Sequence, residues 1–313
     1  MSKARTVLPT DLMALVSYNG RVYPNEAKTW DRLNPQGSDN GPHPLETAIE
    51  QWFSFATGKH TWVSVRGATI RGLVSARRRA KRTAWEVDCL IDADEDKDII
   101  LSLLSRMTSG LTKLGAERVF LRLAAESPLV EVTRRAGFFA YSQEALYCAD
   151  QTGPQLAPNA SPLRPRTRGD ALGLFQLYNQ GVPNNIRAIE GTTLREWQAA
   201  LEPWGGRPKD FILEENNLID TWLRILSGHR GRFSLLTHPR SPCLEAVLQF
   251  ALARLAGSRC LLCLVPSYDV SLARSLEQAG FSAGEQYVRL AKRLLKPIEE
   301  LAPEAMRPAL PVS

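Results

Sequence analysis

Apolar and polar positions follow two periods along this chain, and the periods change in the same order twice. "TWVSVRG" (61–67), "ATIRGLVSARRR" (68–79) and "TAWEVDCLID" (83–92) carry alternating or near-continuous apolar residues, as strands do. "KDIILSLLSRMTSGLTKLG" then repeats its apolar residues at helical spacing and stops at Gly115. "AERVFLRLA" predicts a strand, "SPLVEVTRRAGF" a helix and "EALYCA" a closing strand.

The second half restates this order. "LRPRT" predicts a short strand, and Asp170 is expected to cap a helix with Leu172, Leu174, Phe175, Leu177 and Tyr178 at helical spacing. "TTLREWQAAL" opens another helix, with Thr193 as cap and Glu196 three residues on. "DFILEEN", "LIDTWLRILSG" and "GRFSLLTH" predict strands, the first two joined by a turn at Asn216-Asn217. "SPCLEAVLQFALARLAG" predicts a helix capped by Ser241, with Pro242 in its first turn. "RCLLCLVP" predicts a strand covered on both faces, "DVSLARSLEQAGF" a helix, and "EQYVRLAKRL" a last strand.

"RRAGFFAY" (134–141) and "EQAGFSAG" (277–284) occupy the same place in each series. Each glycine, Gly137 and Gly280, is expected to end its helix in a left-handed conformation, and each phenylalanine to pack back into the core. Strand–strand–strand–helix–strand–helix–strand therefore occurs twice, which predicts a tandem repeat of one α/β (α+β) module. Each module is expected to hold a mixed, mostly antiparallel sheet flanked by helices: a meander, then a parallel pair bridged by a helix.

A chain of 313 residues, 44% hydrophobic and 23% charged, has material for two cores. "QTGPQLAPNASP" (151–162) has three prolines and no charge, and reads as a linker. The expected organisation is a first module over 1–150, poorly matched over 1–60, and a second over 163–297. A proline-rich tail follows over 298–313. "LPTDLMALV" is readable as a worn copy of "LRPRTRGDALGLF".

No apolar run approaches the roughly 18–20 residues a membrane helix needs. No signal peptide is read at the start, so the expected place is the cytoplasm, with no membrane partner. Five cysteines form no disulfide framework. Cys260 and Cys263 face opposite sides of a strand, so they hold no common metal, and no metal is expected.

The net charge of +6 permits an anionic partner without demanding one. "ARRRAKR" (76–82) and "DADEDKD" (92–98) read as solvated turns. Nucleic-acid binding is not expected, because no aromatic residues interleave the basic run.

The element order, with "GF" after the last helix, resembles the GNAT superfamily of acetyl-CoA-dependent N-acetyltransferases, over roughly 61–150 and 163–295. The resemblance implies an acyl-CoA held where the fourth and fifth strands splay, with its pyrophosphate on the N-terminus of the following helix. The implied signature there is Gln/Arg-x-x-Gly-x-Gly/Ala. In the second module Arg240 fits its first position, while Cys243 and Glu245 stand where small residues belong. The cofactor residues implied are Leu235, Leu236, Thr237, Arg240, Ser241 and Cys243.

In the first module Glu95, Asp98 and Ile100 hold those three positions, and carboxylates crowd the place of the pyrophosphate. That module is not expected to bind CoA in the usual way. The tyrosine that family members carry four residues before "GF" is Thr133 in one module and Leu276 in the other, with Tyr268 and Tyr287 nearby as packing aromatics.

For a base, Glu86 and Asp88 alternate onto one strand face, opposite Trp85, Val87 and Cys89, where some family members keep theirs. The same alternation describes solvent-facing polar residues. Glu190, in "IRAIEG", is a third candidate. His238 could touch a ligand, but fits a turn.

Two functions follow. One is transfer of an acetyl or other acyl group from CoA to a small-molecule or peptide amine, with the donor on the second module. The other is a GNAT-fold protein without catalysis, serving as a binding or dimerisation scaffold. The repeat leaves open whether the modules pack on each other or pair between chains as a homo-oligomer.

Overall fold

The computed structural model describes residues 3–6, 23–33, 58–66, 69–150 and 163–295. The stretch 8–16, the linker 151–162 and the tail from 298 lie outside the described residues.

The expected order appears in both halves. The first half runs β1 (Lys3–Thr6), β2 (Lys59–Arg66), β3 (Thr69–Arg78), β4 (Ala84–Asp92), α1 (Lys97–Lys113), β5 (Arg118–Ala124), α2 (Leu129–Arg135) and β6 (Phe139–Asp150). The second runs β7 (Arg164–Pro165), α3 (Ala171–Gly181), α4 (Asn184–Glu190), α5 (Leu194–Ala200), β8 (Lys209–Glu215), β9 (Leu218–Leu226) and β10 (Arg230–Thr237). It ends with α6 (Leu244–Arg254), β11 (Cys260–Pro266), α7 (Val270–Gln278) and β12 (Ser282–Arg293).

The local rules hold where they act within a few residues. Gly137 and Gly280 adopt φ of 86° and 88°. In each case the following phenylalanine donates its amide back to the residue five before it, Phe138 to Thr133 and Phe281 to Leu276. Both rings are buried, Phe138 against α1 and Phe281 against α6. Asn216 and Asn217 both take positive φ, as a two-residue hairpin turn requires. Thr193 and Glu196 close a capping box.

Two caps differ from the reading. Asp170 does not cap α3 with its side chain, because it is spent on Thr167 in a box one turn earlier. Leu172, expected on the apolar face, is exposed.

All twelve strands form one sheet, in the order β1-β2-β3-β4-β5-β12-β6-β11-β10-β9-β8-β7. Every pairing is antiparallel except β4–β5 and β10–β11, the two pairs bridged by a helix. The last strand of each half has crossed over. β12 pairs with β5 of the first half, and β6 pairs with β11 of the second. At the centre β6 and β12 pair with each other, so the halves are continuous.

One face carries two cores. Trp85, Leu103, Met107 and Leu290 pack under α1 and α2, while Phe233, Ala251, Leu272 and Phe281 pack under α6 and α7. The other face is covered by α3–α5 over Phe120, Tyr141 and Ala291, joined by a cluster of Trp30, Leu146, Trp204, Leu262 and Tyr287. Cys260 and Cys263 fall on opposite faces.

The basic run is not a solvated turn. Arg77 and Arg79 reach buried Glu86, and Arg78 lies over the Trp85 ring. Lys81 and Arg82 are its exposed cations. The arginines turn inward because three of them lie on or beside β3, whose neighbour β4 holds a buried carboxylate.

Among the described residues no helix is long and apolar enough to cross a membrane.

Candidate functional site

The sheet opens in two places. β4 and β5 pair in parallel from Ala84↔Arg118 to Glu86↔Phe120 and then part. β10 and β11 pair from Arg230↔Cys260 to Phe233↔Cys263 and then part. Beyond each fork, main-chain groups that would meet a neighbouring strand need other partners.

In the first fork the chain itself supplies them. Residues 23–33 run between the strands. The Glu26 amide donates to Leu90 O and the Lys28 amide to Arg122 O, both at 2.9 Å, one on each wall. The Asn25 side chain donates to Asp88 O at 3.0 Å and accepts from Leu90 N at 2.9 Å. Asn25, Ala27, Trp30 and Leu33 are all buried.

Glu86 and Asp88 flank this fork, buried rather than solvent-facing. Glu86 accepts from Arg77 Nε at 2.6 Å and Arg79 Nε at 3.1 Å. Burial pushes its carboxyl up, opposed by the charges of Arg79 and Arg77. Asp88 pairs with Lys59 Nζ at 3.1 Å. Asp88 is also the extra residue of a β-bulge, since Ala76 faces Val87 and Ser75 faces Cys89. The bulge resets the alternation. Cys89 therefore joins Ile91 and Leu73 in a separate cluster, instead of sharing the face of Trp85 and Val87.

The N-terminus of α1 is answered by its own acids. Asp96 accepts from Asp98 N at 3.0 Å, and Asp92 accepts from Asp96 N at 3.2 Å. Burial pushes Asp92 up, against the backbone hydrogen bonds it receives.

The second fork differs. Leu235, Leu236 and Thr237 pair with Leu223, Trp222 and Thr221 of β9 on one side. Among the described residues, no segment is hydrogen-bonded along the other side of Ser234–Thr237. α3 ends close by: a side chain at Gly181 would lie 3.1 Å from Thr237 O and 3.2 Å from Leu236 Cδ1.

The loop after β10 is built by local bonds. His238 donates its amide to Asp220 O, and its Nδ1 accepts from Arg240 N at 3.2 Å, which is a turn role. The Arg240 side chain is exposed. Ser241 bonds Asp220 with its hydroxyl, which also accepts from Cys243 N at 3.3 Å. This short turn delays the helix. Cys243 is the N-cap and Pro242 precedes the first turn, a correction to the expected start.

Cys243 Sγ lies 3.3 Å from Glu215 Oε1. That hydrogen bond, with burial, pushes the thiol up. With Glu245 in the first turn of α6, carboxylates stand around the place implied for a pyrophosphate.

Glu190 sits between the forks, on the face under α3–α5. It accepts from Tyr141 OH at 3.3 Å, Tyr178 OH at 3.2 Å and Arg289 Nη2 at 2.5 Å. Burial pushes both tyrosines well above their usual range, so they stay protonated donors.

A charged group beside it was missed from the sequence: Arg122 with Glu144 and Glu202. The readable signal was a lone arginine in each of two apolar strands, Arg122 in "VFLRLA" and Arg289 in "YVRLA". Thr133 and Leu276, at the places implied for a tyrosine, are both fully buried in helix cores. Tyr268 packs with the α3–α5 cluster, and Tyr287 donates to Glu285 at 2.8 Å.

No family model and no curated protein matches the sequence. Solved structures do match the fold. A GCN5-related N-acetyltransferase from Sphaerobacter thermophilus is 13% identical with a TM-score of 0.59, over 93% of this chain and 95% of that one. A tandem GNAT protein from the clavulanic acid biosynthesis pathway is 11% identical with a TM-score of 0.51, over 94% and 98%. An acetyltransferase-like protein from Pyrococcus horikoshii is 12% identical with a TM-score of 0.52, over 94% and 90%. The chain therefore has the GNAT fold, along nearly its whole length.

Proposed function

We propose that the protein is an acyl-CoA-dependent N-acyltransferase whose donor lies in the second fork. One observation carries the reading. Of two equivalent forks, the first is filled by the chain, while along the β10 edge of the second no described segment is hydrogen-bonded. Leu235, Leu236 and Thr237 would offer main-chain groups to the pantetheine amides. Arg240, Ser241 and Cys243 would meet the diphosphate end. The fit is good along β10 and poorest at α6, where Glu215 and Glu245 lie near the diphosphate's place.

A bound acyl-CoA supplies a thioester carbonyl open to attack by an amine. The acceptor is a small-molecule or peptide amine. Glu190, between the forks, is the carboxylate that would receive its proton. Its Oε1 accepts from Tyr141 and Arg289 and its Oε2 from Tyr178, which leaves one lone pair of Oε2 for that proton. Five free thiols suit a reducing compartment such as the cytoplasm.

A second reading is a GNAT-fold scaffold without catalysis. It is favoured by Leu276, a core leucine where the leaving thiolate would meet a proton donor.

Calorimetric titration of acetyl-CoA and CoA decides between them, with Arg240→Ala alongside. Binding on the order of micromolar that weakens about tenfold in the variant, as expected for losing one charge-assisted contact, supports the first reading. No binding at millimolar ligand supports the scaffold. Equal binding by the variant places the diphosphate elsewhere.

A further inference from the structure

We propose that Asn25–Leu33 is a permanent internal ligand of the first fork. It stands where a pantetheine arm would lie, so the chain takes one acyl-CoA rather than two and uses the first half as a clasp. Only the stoichiometry rests on the reading of the second fork; the filling of the first does not.

The segment does the chemical work of the ligand it displaces. A pantetheine arm is a thin chain with two secondary amides, able to bond the separated strand edges. Here the amides of Glu26 and Lys28 bond Leu90 O and Arg122 O on the two walls. Asn25 adds a side-chain amide that satisfies both Asp88 O and Leu90 N. Arg32 Nη1 donates to the same Asp88 carbonyl at 3.0 Å, and Arg122 Nη1 returns a bond to Lys28 O at 3.2 Å. Asp88 O, Leu90 N, Leu90 O and Arg122 O are thereby all satisfied by this segment's own main chain and side chains.

The far end of the segment grips the second half. The Asp31 carbonyl accepts from Arg232 of β10 at 2.8 Å, while its side chain stays anchored to the first half by two bonds of 2.7 Å from Arg77 of β3. Gly205 comes so close that a side chain there would lie 2.6 Å from Asp31 Cβ. The Trp30 ring packs edge-on against Trp204 at 5.0 Å, and its amide donates to Glu202 at 3.2 Å. A segment bonded to both halves at once, to β3, β4 and β5 of the first and to Glu202 and Arg232 of the second, is a clasp. A displaceable gate would not bury Ala27 and Leu33 to 1% exposure. A diphosphate would also find the α1 terminus answered by Asp92 and Asp96.

The test is hydrogen exchange at the amides of Glu26 and Lys28 in the full-length chain, with and without excess CoA. Calorimetric stoichiometry and an Asn25→Ala variant accompany it. Expected are two amides as protected as those of β4 and β5, unchanged by CoA. One equivalent of CoA should bind, and Asn25→Ala should melt lower without gaining a second. Exchange at the rate of free peptide, loss of protection on adding CoA, or two equivalents bound would each overturn the proposal. If no CoA binds, the reading of the second fork fails while the exchange data still judge the clasp. The unsubstituted chain carries that measurement, so a variant that does not fold leaves the test intact.

Discussion

Arg122 and Glu202 stand 80 residues apart and meet in two hydrogen bonds of 2.7 Å, one from each terminal nitrogen of the guanidinium. Arg122 lies on β5 of the first half, and Glu202 follows α5 of the second. The pair is deep enough that its loss leaves a charge without water.

Removing one partner of such a pair is costly because the other stays buried. Glu202→Ala is expected to lower the unfolding free energy by about 3 kcal/mol, at the low end for broken buried pairs because Glu144 still holds Arg122. Urea denaturation measures it. A loss under about 0.5 kcal/mol would class the pair with exposed ones.

The same pair predicts an acid dependence. Burial alone would raise Glu202, but the charge and hydrogen bonds of Arg122 hold it well below the usual carboxylate range. Asp31 is lowered too, with Arg77 overcoming its burial. A depressed folded value gives stability that is full above the unfolded value, about 4, and lost as pH falls through the folded one. Melting temperatures of the native chain and Glu202→Gln should therefore differ most at neutral pH, and the gap should begin to close below about pH 4 and narrow progressively as pH falls toward the folded value. A constant gap would show that the carboxylate's charge is not what stabilises.

Two glycines separate backbone strain from collision. At Gly280, φ is 88° and a methyl group would meet nothing within 4 Å. Gly280→Ala should cost about 1–2 kcal/mol, the left-handed penalty alone. At Gly191, φ is 148° and a methyl group would lie 2.3 Å from Trp197 N. Gly191→Ala should cost clearly more in the same urea assay. Equal costs would show that the turn after Glu190 yields.

The thiol of Cys243 reports on the carboxylate beside it. Glu215 and burial raise it above its ordinary value of 9.0. In a chain with Cys148 and Cys260 replaced by serine, the pH midpoint of its alkylation should lie above that value and fall in Glu215→Gln. An unchanged midpoint would remove Glu215 from the N-terminus of α6.

Features that depend on a few neighbouring residues were legible. The repeated "AGF" stops, the Asn216-Asn217 turn and the Thr193–Glu196 box need only local backbone geometry, so their residues announce them. The order of strands and helices was legible for the same reason, since each period belongs to one element. Arg240 and Glu190 could be named from the sequence, but not their surroundings.

What the sequence by itself determined is the module, its repetition and the caps that end its helices. Only the tertiary structure decided which strand completes which half. β6 and β12 both end a module and both fit an antiparallel place beside β5 or β11, so pairing at home and pairing across read alike in the chain. It also decided the state of the two forks, because a hydrogen bond from Glu26 to Leu90 spans 64 residues and leaves no periodic trace. The inward turn of Arg77 and Arg79 follows the same rule. A charge is solvated or buried according to whether a partner waits for it, and for these arginines the partner is Glu86 on the next strand.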